Sequence, residues 1–272
     1  MLPGPNVAIM GPVGRGKTSS LRTLPHAGLQ TFVLFTEPHQ DKIADLHGWM
    51  HWHHVQAHLE GWDAHIARAR TIQHTSWDTL VKQVDDPQRA RYDAWIQVYP
   101  ALANFTCDAC GQEFGDVMTW GPDRALAIDG MSGLNQMSLD FCRGGAVADD
   151  YGRKRDAAAD QVYNLFGQTL PNALQCTYVF IAHTRDLFVS EEKRVKTTFD
   201  ILGKRTAGMW GRNFQDIVLA HRQGNQFWWS NDDEAADTKN TYLPLSPGLA
   251  QDFGPLIEAW RRRAGLADGG VA

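Results

Sequence analysis

Nine consecutive residues near the start of the chain, Gly11-Pro12-Val13-Gly14-Arg15-Gly16-Lys17-Thr18-Ser19, contain the spacing G-x-x-x-x-G-K-[ST]. Glycines in that pattern let backbone N–H groups turn inward around phosphate oxygens, and the helix expected to follow adds its positive N-terminal end. Lys17 is placed to reach β- and γ-phosphates, and the Thr18 hydroxyl to ligate Mg²⁺. The chemistry implied is binding of a nucleoside triphosphate.

Three polar residues stand at the ends of apolar runs further along. Glu37 follows Thr31-Phe32-Val33-Leu34-Phe35-Thr36, Asp129 follows Leu126-Ala127-Ile128, and His183 follows Tyr178-Val179-Phe180-Ile181-Ala182. If each run is a strand, its last residue is delivered to the carboxyl edge of a sheet, where α/β proteins bind ligands. A strand lying beside the first would bring Asp129 to the phosphate loop as the second metal-binding acid. Glu37 is suited to orienting and deprotonating an attacking water, and His183 to sensing a γ-phosphate and signalling to the chain that follows.

Cys107-Asp108-Ala109-Cys110-Gly111 has the spacing of a zinc knuckle, but a structural zinc needs four ligands and no second C-x-x-C exists. Cys142, Cys176 and the histidines His51, His53, His54 and His58 are the open candidates for the remainder. A reduced free pair or a decayed zinc ribbon is the alternative. His51 and His53 alternate as residues on one face of a strand do. Four cysteines among 272 residues make no disulfide framework, which fits a reducing compartment.

The elements that must position these groups follow from periodicity. Val7 to Met10 reads as a buried strand, Lys17 to about Leu24 as a helix stopped by Pro25, and Thr31 to Thr36 as a second strand. Segment 39–120 changes character: eight of the eleven histidines lie between His39 and His74. Helical spacing then places Trp77, Leu80, Val81 and Val84 on one face, and Tyr92, Trp95, Ile96 and Tyr99 on another. A strand is expected over Arg124–Asp129, a helix from about Arg155 to Leu170 stopped by Pro171, and a strand over Tyr178–Ala182. Arg185 to Arg212 reads as a long basic loop, apart from a strand pair near Phe188 and Thr198. Strands are expected at Asp216–His221, Gln226–Trp229 and Thr241–Leu245, then a helical stripe of Leu249, Phe253, Leu256, Ile257 and Trp260. The fold class is therefore α/β, a mainly parallel sheet flanked by helices with late antiparallel strands. One domain over 1–260, carrying a His/Trp-rich, mostly helical insertion at 39–120, precedes a basic and small-residue tail at 261–272.

Composition bounds the function. Hydrophobic residues at 43% and charged residues at 21% are globular proportions, and 26 Lys plus Arg against 31 Asp plus Glu give a net charge of −5. The molecule is no polycation, so any nucleic-acid contact must be local. No apolar stretch approaches the roughly 18 residues of a membrane span, and Met1 to Met10 has neither the basic start nor the apolar core of a targeting signal. No membrane contact and a cytoplasmic location are the expectation.

Taken in order, Gly11 to Thr18, Thr36-Glu37, Ile128-Asp129-Gly130-Met131-Ser132 and Phe180-Ile181-Ala182-His183 resemble the RecA-type ATPase core. The short lead before the phosphate loop and Asp237-Thr238-Lys239-Asn240 resemble more narrowly the phage-encoded single-domain ATPases of the Sak recombinase type. The resemblance covers most of the chain outside 39–120. It implies ATP and Mg²⁺ as ligands, Glu37 as the catalytic glutamate, Asp129 as the Walker B acid, and His183 where RecA itself has a glutamine. It further implies a ring or filament of identical subunits, action in phage recombination or replication inside an infected host, and single-stranded DNA as partner. Arg185, Lys193, Arg194, Lys196, Lys204, Arg205 and Arg212 make the 185–212 segment locally basic, which suits phosphate contacts. Lys204 and Arg205 are also candidates to reach the γ-phosphate of a neighbouring subunit. Two other readings share the phosphate loop: a nucleotide or small-molecule kinase, and a nucleotide-dependent partner-binding module such as a helicase loader, docking through 39–120.

Overall fold

A computed structural model describes residues 2–56, 62, 63, 66, 70, 93–144, 151–189, 194–203, 206 and 208–266. Its centre is an eight-stranded sheet. In chain order the strands are β1 (Asn6–Met10), β2 (Gln30–Phe35), β3 (Met50–His54), β4 (Arg124–Asp129), β5 (Thr177–Ala182), β8 (Asp216–Gln223), β9 (Gln226–Ser230) and β10 (Leu249–Ala250). They lie side by side as β10-β9-β8-β1-β5-β4-β2-β3. From β8 to β3 every pairing is parallel, and β9 and β10 close the other edge antiparallel. β6 (Thr184–Val189) and β7 (Arg194–Phe199) form a separate antiparallel hairpin. The fold is α/β with a mostly parallel sheet flanked by helices.

Strand periodicity divides the core in two. Ala8, Met10, Phe32, Leu34, Leu126, Ile128, Tyr178 and Phe180 point to one side, and Val7, Ile9, Val33, Phe35, Ala125, Ala127, Val179 and Ile181 to the other. Both faces are buried, which is why these strands read as continuous apolar runs rather than alternating ones. The first side is covered by α3 (Ala94–Ala103), α4 (Met131–Gly144), α5 (Tyr151–Val162) and the π-helical turn Tyr163–Thr169 that continues it. The second is covered by α1 (Lys17–Ser20), α2 (Thr23–His26) and α7 (Gly254–Ala264). In α7, Leu256, Ile257 and Trp260 are buried, and the Trp260 Nε1–H donates to Pro3 O at 2.8 Å, tying the last helix to the start of the chain.

Several expectations change. Pro25 does not stop a helix but lies in the first turn of α2, where no backbone donor is required. Pro171 likewise sits near the start of α6 (Leu170–Ala173). Thr241–Leu245 is not a strand: the N–H groups of Thr241, Tyr242 and Leu243 converge on the buried Asp216 carboxylate at 2.9–3.2 Å, taking donors a ladder would need. Leu249 belongs to β10 rather than to α7. Segment 185–212 is no loop over its first part, since the expected strand pair is the whole β6–β7 hairpin. The described part of 39–120 holds α3 and three short 3₁₀ turns, but also β3, the outermost strand of the sheet. On α3 the buried stripe is Ala94, Trp95, Val98, Ala101 and Leu102, which leaves Ile96 and Tyr99 exposed. Arg261 to Arg263 form the last turn of α7, where cations face the negative helix end, before Gly265 closes it in the left-handed conformation. Trp77, Leu80, Val81, Val84, Tyr92 and residues 267–272 lie outside the described residues. Among the described residues no helix is long and apolar enough to cross a membrane.

Candidate functional site

The loop between β1 and α1 turns through two glycines with left-handed backbone, Gly14 (φ 74°) and Gly16 (φ 79°). A side chain at Gly16 would also meet Gln251 Oε1 at 2.5 Å, but that is the end of a flexible side chain, so it is the left-handed backbone that requires glycine here. Lys17 folds back beneath this loop with 7% of its surface exposed, its ammonium donating to Gly11 O at 2.7 Å and Pro12 O at 2.8 Å. Burial pushes Lys17 down to about 8, against the opposing pull of Asp129 and Glu37. The loop is braced from the antiparallel edge: Gln251 Nε2 donates to Arg15 O at 2.9 Å and Trp228 O at 3.2 Å, and Arg15 Nη1 donates to Arg222 O at 2.6 Å.

Asp129 reaches the loop by a different route from the one expected. Its strand is not beside β1, because β5 runs between β4 and β1. The Thr18 hydroxyl nonetheless donates to Asp129 Oδ2 at 2.6 Å, and the accepting Asp129 is only 3% exposed. Burial raises the pKa of Asp129, with the Thr18 hydrogen bond opposing. A hydroxyl and a buried carboxylate side by side are a hard-oxygen donor pair, and a divalent cation bound there would offset the desolvation of the acid.

Glu37 emerges where β2 passes the N-terminus of α4. The Thr36 N–H donates to Asp129 O at 3.0 Å and its hydroxyl bonds Gly130 O, fixing the two strand ends together. Gly130 and Gly133 permit this approach, since a Cβ on either would fall 2.4 Å from Thr36 oxygens. The Gly133 N–H donates to Glu37 Oε1 at 3.3 Å, so the carboxylate caps a 14-residue helix. His39 Nε2 lies 3.4 Å and His183 Nε2 3.8 Å from Glu37 Oε2. The His183 ring is the main cause holding Glu37 below the usual carboxylate range, with Gly133 and His39 adding and burial opposing. On its other side His183 Nδ1 stands 3.5 Å from Lys17 Nζ, so this one ring touches both the lysine and the glutamate. The His183 carbonyl also accepts the Asp200 N–H at 2.9 Å at the root of the β6–β7 hairpin.

These groups line one cleft of about 310 Å³ running over Val13 to Ser19, within the size range of small-molecule sites. Sequence reading missed three of its walls. His39 and Lys42 follow Pro38, at the start of the segment read only as a His/Trp-rich insertion, and Phe227 comes from β9, more than 200 residues from the loop it overhangs. The Phe227 ring is 41% exposed, and Arg222 lies over it at 5.2 Å.

The basic segment is dispersed. Arg185 is on β6 opposite Thr198, with its Nη2 donating to Gly203 O at 3.4 Å. Lys196 is held by Asp237 at 2.6 Å, and Arg212 is exposed within the 3₁₀ turn Trp210–Asn213. Arg194 opens β7 opposite Val189, while Lys193, Lys204 and Arg205 lie outside the described residues. The hairpin instead displays two apolar residues, Phe188 (69% exposed) and Val195 (54%), directly across from one another.

Of the candidate zinc ligands, Cys107 and Cys110 stand together and His47, not among the expected histidines, joins them; the three ligand atoms lie within 4.8 Å of one another. His51 Nδ1 is 3.8 Å from Cys110 Sγ. Cys142 instead receives Gln161 Nε2–H at 3.5 Å and packs with Leu139 and Ala158, and Cys176 is buried beside β5, its thiol pushed up to about 12. His53 is paired with Asp108 at 2.7 Å and His54 with Gln56 at 2.9 Å. His58 lies outside the described residues.

No protein-family model matches the chain, and a search of curated proteins finds no match either. The functional reading therefore rests on the cleft itself.

Proposed function

We propose that the protein is a Mg²⁺-dependent ATPase of RecA-type P-loop architecture, acting with single-stranded DNA in phage recombination or replication. The observation that carries the reading is the meeting of Thr18 and Asp129 across an intervening strand, with Lys17 buried under the same loop. A motif alone predicts neither the acid nor its distance.

In this reading the loop amides and Lys17 hold the β- and γ-phosphates, Lys17 exchanging its two carbonyl partners for phosphate oxygens. Thr18 and Asp129 would hold Mg²⁺, which when bound neutralises charge on those phosphates. Glu37, kept ionised at neutral pH by His183 and the α4 amide, positions a water against the γ-phosphate; its lowered basicity makes it chiefly an orienting group. Lys17 stabilises the charge that develops as the bond to the leaving oxygen breaks. His183, in contact with both and joined through its own backbone to β6–β7, transmits occupancy to the hairpin. There the exposed Phe188 offers a stacking face for an unpaired base. Assembly into a ring or filament would let a neighbour's basic residue complete the cleft.

The test is ATP hydrolysis with and without single-stranded DNA across a salt series. The expected result is stimulation that weakens with salt, because phosphate contacts compete with counterions. Hydrolysis or binding indifferent to DNA would overturn the DNA-coupled reading and favour a protein partner or a phosphoryl acceptor.

A further inference from the structure

We propose that His47, His51, Cys107 and Cys110 form a closed tetrahedral zinc site that clamps the β3 edge of the sheet to the turn at Cys107–Gly111.

The turn has the build of a metal knuckle. Gly111, with φ 69°, donates its N–H to Cys107 O at 2.8 Å, and Cys107 donates to Gln112 O at 2.9 Å. Its stem is a short antiparallel pairing, with Thr106 opposite Glu113 and Phe114 N–H donating to Phe105 O at 2.8 Å. Both sulfurs therefore project from one tight bend, Cys107 fully buried and Cys110 exposed.

The histidines arrive from another part of the chain. His47 makes an isolated bridge with Met50 just before β3, and His51 is the second residue of β3, a His-x-x-x-His spacing within the range used by zinc sites. With Zn–S near 2.3 Å and Zn–N near 2.0–2.1 Å, neighbouring ligand atoms of a tetrahedron lie about 3.3–3.8 Å apart. The 3.8 Å between His51 Nδ1 and Cys110 Sγ is already such an edge. His47, Cys107 and Cys110, mutually within 4.8 Å, need a closure of about 1 Å, and His51, which is not within that distance of all three, must shift further to complete the shell. Two thiolates and two imidazoles favour zinc over the hard cations suited to the phosphate cleft.

The surroundings hold the donors in place without drawing on them. Asp108, between the two cysteines, donates its N–H to Trp52 O at 2.8 Å, while its carboxylate accepts the His54 N–H at 2.7 Å and contacts His53 Nδ1 at 2.7 Å. The knuckle is thus docked on β3 by an acid that is not a ligand, and His53 and His54 are engaged elsewhere. His51 is 6% exposed, stacked on Phe32 at 5.2 Å and against Phe114 at 4.3 Å, which limits its ring orientation. Four protein donors leave no open position, so the site is structural: it staples residues 47–51 to 107–110 and closes the intervening chain into a loop.

The test is zinc content and zinc X-ray absorption on the full chain, purified under reducing conditions and reconstituted with zinc sulfate. The expected result is one zinc per chain with a shell of two sulfurs near 2.3 Å and two nitrogens near 2.0–2.1 Å. Cys110→Ser and His47→Ala should each lose the metal, whereas Cys142→Ser keeps it. Failure of the wild-type chain to retain zinc overturns the site, as does a shell with fewer than two sulfurs or two nitrogens. Zinc that persists unchanged in Cys110→Ser also overturns it. The absorption measurement needs no variant, so a mutant that fails to fold does not obscure the answer.

Discussion

The phosphate cleft and the His/Cys corner lie on the same sheet but solve opposite problems. In the cleft each charged group already has a partner from the protein: Lys17 on two loop carbonyls, Asp129 on Thr18, Glu37 on the α4 amide and two imidazoles. Such a site can release its ligand without leaving buried charge uncompensated, as turnover requires. In the corner, soft donors from two segments some 60 residues apart face one another, and the ties that dock the segments run through Asp108 instead. A site of that kind gains by holding one ion permanently. The lesson is that exchange and retention can be read from what the donors do when they are not holding the ligand.

The largest expected effect breaks the cleft alone. Lys17→Ala should lower ATP turnover by about 10²–10³-fold, the range for removing one group that stabilises transition-state charge, while zinc content stays at one per chain. Glu37→Gln should lower turnover by about 10²-fold with ATP binding retained, since it removes the water-orienting charge and not a phosphate contact. Phosphate release and equilibrium nucleotide binding, measured on the same preparations, check both. Loss of zinc in either variant would show that the two regions are not independent.

The reverse experiment breaks the corner. Stripping zinc with a zinc-selective chelator in excess Mg²⁺ should lower Tm by several degrees, as expected for about 1–3 kcal/mol in a chain of this size. The ATP affinity of the protein that remains folded should change less than twofold. A chelated protein that keeps its Tm would show that Asp108 alone holds the knuckle to β3.

The two regions also differ in how far they could be read beforehand. The phosphate loop is local: nine adjacent residues state the chemistry, and the apolar runs before Glu37, Asp129 and His183 mark strands because both sheet faces are buried. What was not legible there is strand order. No local pattern says that β5 inserts between β1 and β4, or that Phe227 overhangs Gly16. In the corner the C-x-x-C spacing was visible, but His47 lies in a stretch with many histidines, and only the turn that sets it against Met50 ahead of β3 separates it from its neighbours. Thr241–Leu245 misled because its β-like composition serves a loop wrapped on the Asp216 carboxylate. A side chain there replaced the strand partner that sequence pattern assumes.

An effect of similar size comes from protons. Lys17 is lowered to about 8 by burial, so between that value and its ordinary one near 10.5 the unfolded chain binds the proton more than the folded chain does. The sign follows: in the absence of nucleotide, Lys17 makes stability rise as pH increases through this window, by an amount on the order of a few kcal/mol. Binding of a triphosphate moves the other way, weakening up to about tenfold per pH unit above 8 as the ammonium is lost. Denaturation midpoints and nucleotide titrations at pH 7, 8.5 and 10, compared with Lys17→Met, check both signs. A variant with the same pH profile as the wild type would assign the dependence to another group.

The smallest effect concerns Phe227, where the cleft borrows a residue from the antiparallel edge. Its exposed ring projects over the loop beside Gly16, with the Arg222 guanidinium on it. If the ring is a platform for the nucleotide base, Phe227→Ala should raise KM for ATP about fivefold, the low end of base-aromatic stacking, and leave kcat unchanged. Phe227→Tyr should restore KM, and GTP should lose as much as ATP because stacking tolerates any base. If the ring instead buttresses the loop, removing it would disturb Gly16 and Lys17, so kcat would fall and KM would follow less. The split between the two constants thus decides whether the late hairpin shapes ligand affinity or only the loop that carries the chemistry.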